Sequence, residues 1–336
     1  MGKTSILWTD YSWNPWYGCQ KVSDGCKNCY MFREMKWHGR DPNIVQRAKA
    51  FYDPSQHPRR SCAPVLWSKN LPSNKPYLKV FTCSWSDFFI EEADPWRDEA
   101  WDIIRHTPNL IYQILTKRPE NIIARLPGDW NGGWPNVWLG VTVENQKTAN
   151  ERLPLLMDTP AAVKFVSCEP LLEYVDLVKA VHPDEWAWDE VNADPDDCEP
   201  EEIIEECEAE CDWVNYGDDL VVNPEYQEWE QQRIRQAQYI TYKREINWVI
   251  CGGETGPGAR PMHIEWVKAL RDQCKSAGIP FFFKSWGEFR PLSLQDDMDR
   301  LAMIMAPGME VMARVGRRKS GRLLDGIEWN EFPAGQ

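Results

Sequence analysis

Short apolar runs alternate with stretches of helical periodicity along most of the chain. Six of these runs are almost unbroken, which predicts strands covered on both faces. They span residues 79–84, 111–116, 137–143, 163–168, 246–251 and 279–284. Between them, apolar positions after Asp94 share one helical face, and a second helical pattern ends near Gly278. This alternation predicts a parallel sheet with right-handed crossovers.

One further strand is predicted just before a cysteine-containing loop near the N-terminus. We therefore predict an α/β fold: a parallel-stranded, TIM-like barrel, partial or complete, of about six or seven strands. An open doubly wound sheet is the alternative. Residues 1–175 and 246–292 would form the barrel, residues 176–245 an acidic insertion and residues 293–336 a C-terminal tail. The tail pattern predicts a basic β-hairpin whose turn carries Arg317, Arg318, Lys319 and Arg322.

Negative charge is concentrated in one segment. The chain has a net charge of −14, from 52 acidic and 38 basic residues. Residues 176–245 contain 22 of the acids and 5 of the bases, so the remainder has 30 acids and 33 bases. The predicted barrel is therefore compatible with a polyanionic partner. The chain also has 19 tryptophans, whose flat rings suit base stacking, although filling the core is their commoner use.

Three cysteines, Cys19, Cys26 and Cys29, lie in a polar, glycine-containing loop with C-x6-C-x2-C spacing. Such a loop is a poor place for three buried thiols, and a disulfide would leave one thiol over. A structural zinc needs four ligands, and His38 could complete a Cys3His set. The fourth interpretation is a 4Fe–4S cluster held by three thiolates.

The cluster interpretation explains why there are three cysteines rather than four. Three thiolates on four irons leave one iron open. An open iron can bind the amino and carboxylate groups of S-adenosylmethionine. An electron from the cluster then cleaves that molecule into methionine and a 5′-deoxyadenosyl radical.

Several motifs together resemble those of a known group. A three-cysteine loop after the first strand of an α/β barrel is similar to the radical SAM superfamily. More narrowly, the chain resembles its phage- and mobile-element-associated three-Cys-motif branch, through WNPWYGC, VSDGCKNCYM, LTKRPE, GVTVEN, SCEPLL, CGGETGPGARP and KSWGEF. The loop departs from the usual C-x3-C-x2-C spacing, and Asn28 stands where an aromatic residue often precedes the third cysteine.

The resemblance implies roles for residues at the strand ends. The SWSD segment would hold the methionine amino group, the polar residues after the fourth strand would reach the ribose, and CGGE has the composition of a SAM-binding GGE motif. An aromatic ring near the loop would contact the adenine. The implied cofactor-binding residues are Tyr30, Ser84, Trp85, Ser86, Asp87, Thr142, Glu144, Glu169, Gly252, Gly253 and Glu254. Candidate substrate contacts are Lys117, Arg118, Lys284 and Trp286, with structural salt bridges as the alternative for the three cations.

The resemblance further implies an enzyme that abstracts hydrogen from an unreactive carbon. Phage association suggests a nucleic-acid base as substrate, such as a hypermodified thymidine in phage DNA. Isomerisation is favoured over lyase or transferase chemistry. The expected partners are S-adenosylmethionine, a flavodoxin- or ferredoxin-like electron donor, and DNA or a modified nucleoside.

Two other functions remain open from the residues. A zinc-stabilised nucleic-acid-binding protein without catalysis is the main alternative. A metal-dependent hydrolase is a weaker one, because the chain has only five histidines. No apolar run is long enough to span a membrane and the start does not resemble a signal peptide, so we expect a cytoplasmic protein, in the host cell if phage-encoded.

The remaining eight cysteines fall into two groups. Cys198, Cys207 and Cys211 lie among glutamates in the acidic insertion, where they are either stray thiols or ligands of a second cluster. The others are predicted to be small core residues. These are Cys62, Cys83, Cys168, Cys251 and Cys274.

Overall fold

The structure is a computed structural model, and its elements alternate as the apolar pattern predicts. It describes residues 3–48, 51, 62–181, 246–292, 302–304 and 311–333. The strands are β1 (Tyr11–Trp13), β2 (Trp16–Tyr17), β3 (Gln46–Arg47), β4 (Leu78–Thr82), β5 (Leu110–Thr116), β6 (Val137–Thr142), β7 (Val163–Cys168), β8 (Trp248–Gly252), β9 (Phe281–Ser285), β10 (Phe289–Pro291), β11 (Ala302–Ile304), β12 (Met312–Arg314), β13 (Leu323–Leu324) and β14 (Ile327–Glu328). The helices are α1 (Tyr30–Trp37), α2 (Ala63–Lys69), α3 (Asp94–Arg105), α4 (Gln146–Asp158), α5 (Leu177–Val181), α6 (Ile264–Ser276) and α7 (Arg317–Ser320).

Seven parallel strands form the central sheet, which curls into a half-barrel. Their order is β1-β4-β5-β6-β7-β8-β9, so each strand lies beside the next parallel strand along the chain. The prediction of a partial barrel is confirmed at this level. The doubly wound alternative is wrong, because that topology reverses its strand order at a switch point.

The predicted strands agree closely with the observed ones. β7 has the predicted bounds, and the others shift by one or two residues. The interior strands β5 to β8 are buried at nearly every position. That burial on both faces is the physical reason that their sequences are continuously apolar.

The helices present the predicted faces to the sheet. In α3, Ala100, Ile103 and Ile104 are buried, and in α6, Val267 and Leu270 are buried. α6 ends before Gly278, whose φ of +67° is the left-handed conformation expected beyond a helix C-terminus. The five cysteines predicted to be core residues are all buried.

Aromatic side chains pack together inside the half-barrel. Trp8, Trp138, Phe165 and Trp248 belong to one buried cluster, in which the Trp8 and Trp248 ring centroids are 6.2 Å apart. Gly140 on β6 makes room for them, since an added Cβ would lie 2.5 Å from the Phe165 ring. These tryptophans are core residues, as their commoner use predicts.

The chain termini cover the two edges of the half-barrel sheet. Lys3 forms an antiparallel bridge to Tyr11 on β1, and Asn330 forms one to Phe282 on β9. Phe332 then packs on Trp248 inside the half-barrel, with ring centroids 5.2 Å apart. These bridges reduce the number of unpaired backbone groups that the edges offer to another chain.

The predicted basic β-hairpin in the tail is wrong. β12 pairs with β10 and β11, whereas β13 pairs with β14. Between them, residues Arg317–Ser320 form the short helix α7. Gly316 and Gly321 flank it with φ values of +84° and +75°, so the chain changes direction at both ends instead of turning once.

Most of the predicted acidic insertion lies outside the described residues, as do Cys198, Cys207 and Cys211. Its first residues form α5, which packs against α4. None of the helices in the described ranges is sufficiently long and apolar to cross a membrane.

Candidate functional site

A cavity of about 670 Å³ opens where the parallel strands end. It contains all three loop cysteines, together with most of the side chains predicted from the strand ends. The predicted site residues that line it are Cys19, Cys26, Cys29, Tyr30, Ser84, Trp85, Ser86, Asp87, Lys117, Arg118, Thr142, Glu169, Gly253, Glu254 and Lys284. Glu144, Gly252 and Trp286 are not among the lining residues.

Local backbone geometry presents the three cysteines to this cavity. Gly18 has a φ of +92°, and its N–H donates to the Trp85 carbonyl at 3.0 Å. The Cys26 N–H donates to the Ser23 carbonyl at 2.9 Å, which closes a 3-10 turn. Cys29 is the N-cap residue of α1. The loop thus places Cys29 at the start of α1 and Cys19 beside the residues that follow β4.

The three cysteines are free thiols. Burial raises the pKa of Cys19 to about 12, and the neighbouring Asp87 adds to this. Arg118 opposes the shift, since its Nη1 lies 3.8 Å from Cys19 Sγ. Across the described ranges, no three His, Cys, Asp or Glu side chains are grouped closely enough to bind one metal ion.

His38 does not complete a zinc site with these cysteines. It is the C-cap residue of α1, whereas Cys29 is the N-cap residue of the same helix. An α-helix rises by about 1.5 Å per residue, so the two are about 13 Å apart along its axis. Zinc–ligand bonds are only about 2.0–2.3 Å long. Cys29 and His38 therefore cannot bind the same zinc ion.

Three acid–base pairs at the strand ends hold the cysteine loop, and we call them braces. The first brace is Asp87 with Arg118. Asp87 accepts hydrogen bonds from Thr116 Oγ1, the Phe89 and Lys117 N–H groups, and Arg118 Nη1, at 2.7–3.2 Å. These fill the four acceptor positions of a carboxylate. Arg118 Nη2 then donates to the Gln20 carbonyl at 2.8 Å, next to Cys19.

The second brace is centred on Glu144, which is completely buried at the end of β6. Arg152 Nη1 donates to its Oε2 at 2.9 Å, and Lys117 Nζ lies 3.5 Å from its Oε1. Ser23 Oγ of the cysteine loop donates to the same Oε1 at 2.7 Å. Gly25 lies against this carboxylate so closely that an added Cβ would be 2.5 Å from Glu144 Cγ.

The third brace joins Glu254 to Arg260. Arg260 donates to both oxygens of Glu254, at 2.7 and 2.9 Å, and also to the Asp24 carbonyl of the loop at 2.9 Å. Asn28 Nδ2 donates to Glu254 Oε2 at 3.0 Å and to the Gly258 carbonyl at 2.6 Å. Burial alone would raise the pKa of Glu254, but these hydrogen bonds outweigh it and hold the pKa below its usual range.

Three of the predicted cofactor ligands bind groups of this chain. Asp87, Glu144 and Glu254 were expected to contact S-adenosylmethionine, yet their oxygens bind donors from this chain. Their contacts connect the strand ends to the cysteine loop, and their binding of S-adenosylmethionine stays a prediction. Likewise Lys117 and Arg118, expected to contact substrate, form ion pairs with Glu144 and Asp87, as the salt-bridge alternative expects.

Other predicted residues present polar and aromatic groups at the cavity wall. Lys284 Nζ and Glu169 Oε1 form an ion pair of 2.9 Å at the cavity wall. Gly252 allows this, because a Cβ there would clash with the Glu169 carboxylate. Tyr30, which donates to the Ser84 carbonyl at 2.5 Å, and Trp85 provide aromatic surface beside the cysteines.

Trp286 lies behind the cavity and not in it. Its indole is buried, and Nε1 donates to the Leu323 carbonyl at 2.9 Å. Gly253 passes so close to the Trp286 carbonyl that a Cβ would collide with it. Trp286 therefore packs against the backbone after β8, and its contact with substrate stays a prediction.

Sequence reasoning missed several residues of the braces. Ser23, Asn28 and Arg260 lie within the motifs VSDGCKNCYM and CGGETGPGARP, so these motifs contained a signal for them. Arg152 carried none, since an arginine in a helix is ordinary. Ser23 and Arg152 both bind Glu144. Their partners are 121 and 8 residues away in the chain, which only the fold brings together.

No curated protein and no solved structure matches the chain. One family does match, over residues 3–333, and it is described as "Protein of unknown function (DUF5131)". The matched range includes every element of the half-barrel, the cysteine loop and all three braces. The chain therefore belongs to the DUF5131 family.

Proposed function

We propose that the protein is a radical SAM enzyme and that its half-barrel is a partial TIM barrel of that type. The observation that carries the proposal is the arrangement of Cys19, Cys26 and Cys29. All three are free, come from one braced loop and line one cavity at the carboxyl ends of parallel strands. Active and binding sites of parallel α/β folds lie at this edge of the sheet.

The residues present fit a 4Fe–4S cluster better than a single ion. In such a cluster each cysteine binds a different iron, so the three sulfurs need not converge on one point. A zinc ion would require four ligands around one centre, and His38 is too far from Cys29 to contribute. When bound and reduced by a flavodoxin- or ferredoxin-like donor, the cluster would cleave S-adenosylmethionine and so supply a hydrogen-abstracting 5′-deoxyadenosyl radical.

The chain's own residues then have binding and positioning roles. The three braces keep the cysteine loop at a fixed position over the strand ends. Tyr30 and Trp85 offer flat surfaces for an adenine ring, and Ser84 and the Glu169–Lys284 pair offer polar groups for the remainder of S-adenosylmethionine or the substrate. The cavity volume lies in the usual range of small-molecule and cofactor sites.

We further propose that the substrate is a nucleic-acid base, such as a modified thymidine, and that the reaction is an isomerisation. The chain outside residues 176–245 has more bases than acids, which is compatible with this substrate. A base within a duplex would have to be flipped out to enter the cavity.

Single substitutions test the assignment of the cysteines. We expect Cys19→Ala, Cys26→Ala and Cys29→Ala each to lose iron, sulfide and the release of 5′-deoxyadenosine from S-adenosylmethionine after anaerobic reconstitution and reduction. Cys274→Ala is the matched control, because Cys274 is buried on α6 away from the cavity. Thermal unfolding verifies that each variant is folded. A folded loop variant that still releases 5′-deoxyadenosine would refute the proposal.

A further inference from the structure

One face of helix α1 leads away from the cavity and carries aromatic and basic side chains in alternation. Tyr30, Arg33 and Trp37 occupy positions i, i+3 and i+7, which lie on the same side of a helix. Tyr30 and Arg33 line the cavity itself. Trp37 lies seven residues after Tyr30, about 10 Å along the helix axis.

Trp37 is exposed to an unusual degree. Its relative exposure is 86%, and in the described part of the chain no other tryptophan is classed as exposed. Large aromatic rings contribute most to stability when they are buried. A ring left almost entirely in water, on the same face as two residues of the cavity, is better explained by contact with a partner.

The surroundings of this face are basic although the chain as a whole is acidic. Lys27, Lys36 and Arg40 are exposed on or beside α1. Arg33 does pair with Glu34, but at 3.5 Å and with both side chains more than 40% exposed. Such a surface pair is weak, so Arg33 can exchange it for a phosphate.

Further cations lie at the mouth of the same cavity. Lys3 and Arg317 are exposed and line it, and Arg318 and Lys319 follow on α7. The loop after β8 lies between α1 and this second group of cations. Gly256 of the loop is so close to Arg33 that an added Cβ would collide with it, and the Gly256 carbonyl accepts a hydrogen bond from Arg314 at 3.1 Å. Positive charge therefore flanks the cavity on two sides.

We propose that Arg33 and Trp37 of this face, together with the mouth cations Lys3 and Arg317, form a track for single-stranded nucleic acid that begins beside Tyr30. The inference rests on the proposed function and specifies its substrate as a base within a polynucleotide rather than a free nucleoside. Exposed aromatic rings interleaved with arginines bind single strands by stacking and by phosphate contact. A stacked strand advances about 3.4 Å per nucleotide, so the separation of about 10 Å between Tyr30 and Trp37 corresponds to about three nucleotides.

The test measures binding of a fluorescein-labelled single-stranded DNA of about twelve nucleotides, containing thymines, to the full-length protein by fluorescence anisotropy. We expect Trp37→Ala to weaken binding about tenfold without changing its salt dependence, because stacking releases no counterions. Arg33→Gln and Arg317→Gln should each lower the slope of log K against log salt concentration by about 0.7. Free thymidine monophosphate should bind far more weakly than the oligonucleotide.

Matched controls use exposed residues elsewhere on the half-barrel. Tyr174→Ala removes a half-exposed aromatic ring, and Lys147→Gln removes an exposed cation on α4. Neither should change affinity or salt dependence. Unaltered thermal unfolding of Trp37→Ala would verify that the loss is not a loss of fold.

Other results would overturn the track. One is equal binding of the oligonucleotide by wild type and Trp37→Ala. Another is a Trp37→Ala variant that binds DNA normally but has lost affinity for an acidic flavodoxin, which would make the face a docking site for the electron donor. Oligonucleotide binding does not depend on radical chemistry. DNA binding without cleavage of S-adenosylmethionine would therefore refute the proposed function alone, and cleavage without DNA binding would refute the track alone.

Discussion

The substitution Glu144→Gln tests whether the braces hold the cysteine loop. Glu144 is completely buried, and Arg152, only 5% exposed, is its main partner at 2.9 Å. Glutamine keeps the size of the side chain but removes its charge, which leaves the Arg152 guanidinium buried without a counter-charge. Breaking a buried ion pair from one side costs about 3–5 kcal/mol. We expect about 3 kcal/mol, since Arg152 keeps its hydrogen bond to the Thr142 carbonyl.

The assay is denaturant unfolding of the reduced, metal-free protein, with the cost read from the shift in midpoint at constant slope. Glu151→Gln is the matched control. Glu151 precedes Arg152 on α4, and its ion pair with Lys147 is exposed and 3.8 Å long. It should cost less than about 0.5 kcal/mol. Combining Glu144→Gln with Arg152→Met should cost less than the sum of the single changes, because neither charge is then left alone.

A second readout reports on the loop itself. Cys26 is 8% exposed, and its turn is tied to Glu144 through Ser23. Loss of that tie should speed alkylation of Cys26, measured by mass spectrometry of its peptide. Equal stability and equal alkylation in Glu144→Gln and Glu151→Gln would show that Glu144 does not hold the loop.

Two further predictions concern packing and burial. Gly25→Ala should destabilise the protein by about 1–3 kcal/mol in the same unfolding assay, because the methyl group would overlap the buried Glu144 carboxylate. The control Gly128→Ala should be close to neutral, because its methyl group would meet nothing within 4 Å. Lys79→Met should stabilise the protein at pH 7 by about 1 kcal/mol, allowing for partial exposure. Burial lowers the pKa of Lys79 to about 8, so the unfolded chain binds more protons between pH 8 and the usual lysine pKa. The advantage of methionine should therefore shrink as pH rises through that window, and a constant difference would contradict the burial argument.

The half-barrel could be predicted from sequence because its strands are buried on both faces. β5 to β8 read as continuous apolar runs for that reason. β1 is only three residues long, and its position was inferred mainly from the loop that follows it. The tail was predicted wrongly, because a turn flanked by strand-like residues does not show whether Arg317–Ser320 turn once or form a helix.

The common location of the candidate residues could be predicted from the sequence, but their hydrogen-bond and ion-pair partners could not. Most of the candidates named from the cysteine spacing and the polar strand ends line the cavity. Whether a strand-end carboxylate is free or paired depends on cations from elsewhere in the chain, such as Arg152 for Glu144 and Arg260 for Glu254. These pairings are set by tertiary structure, so the sequence could not distinguish a cofactor ligand from a brace.

Electron paramagnetic resonance of the anaerobically reconstituted, reduced protein, with and without S-adenosylmethionine, tests the central claim most directly. Three thiolates on a four-iron cluster leave one iron able to bind the added molecule. We predict about four irons and four sulfides per chain, and a cluster spectrum that changes when S-adenosylmethionine is added. A protein that binds one zinc and no iron would contradict the account, as would a cluster whose spectrum S-adenosylmethionine leaves unchanged.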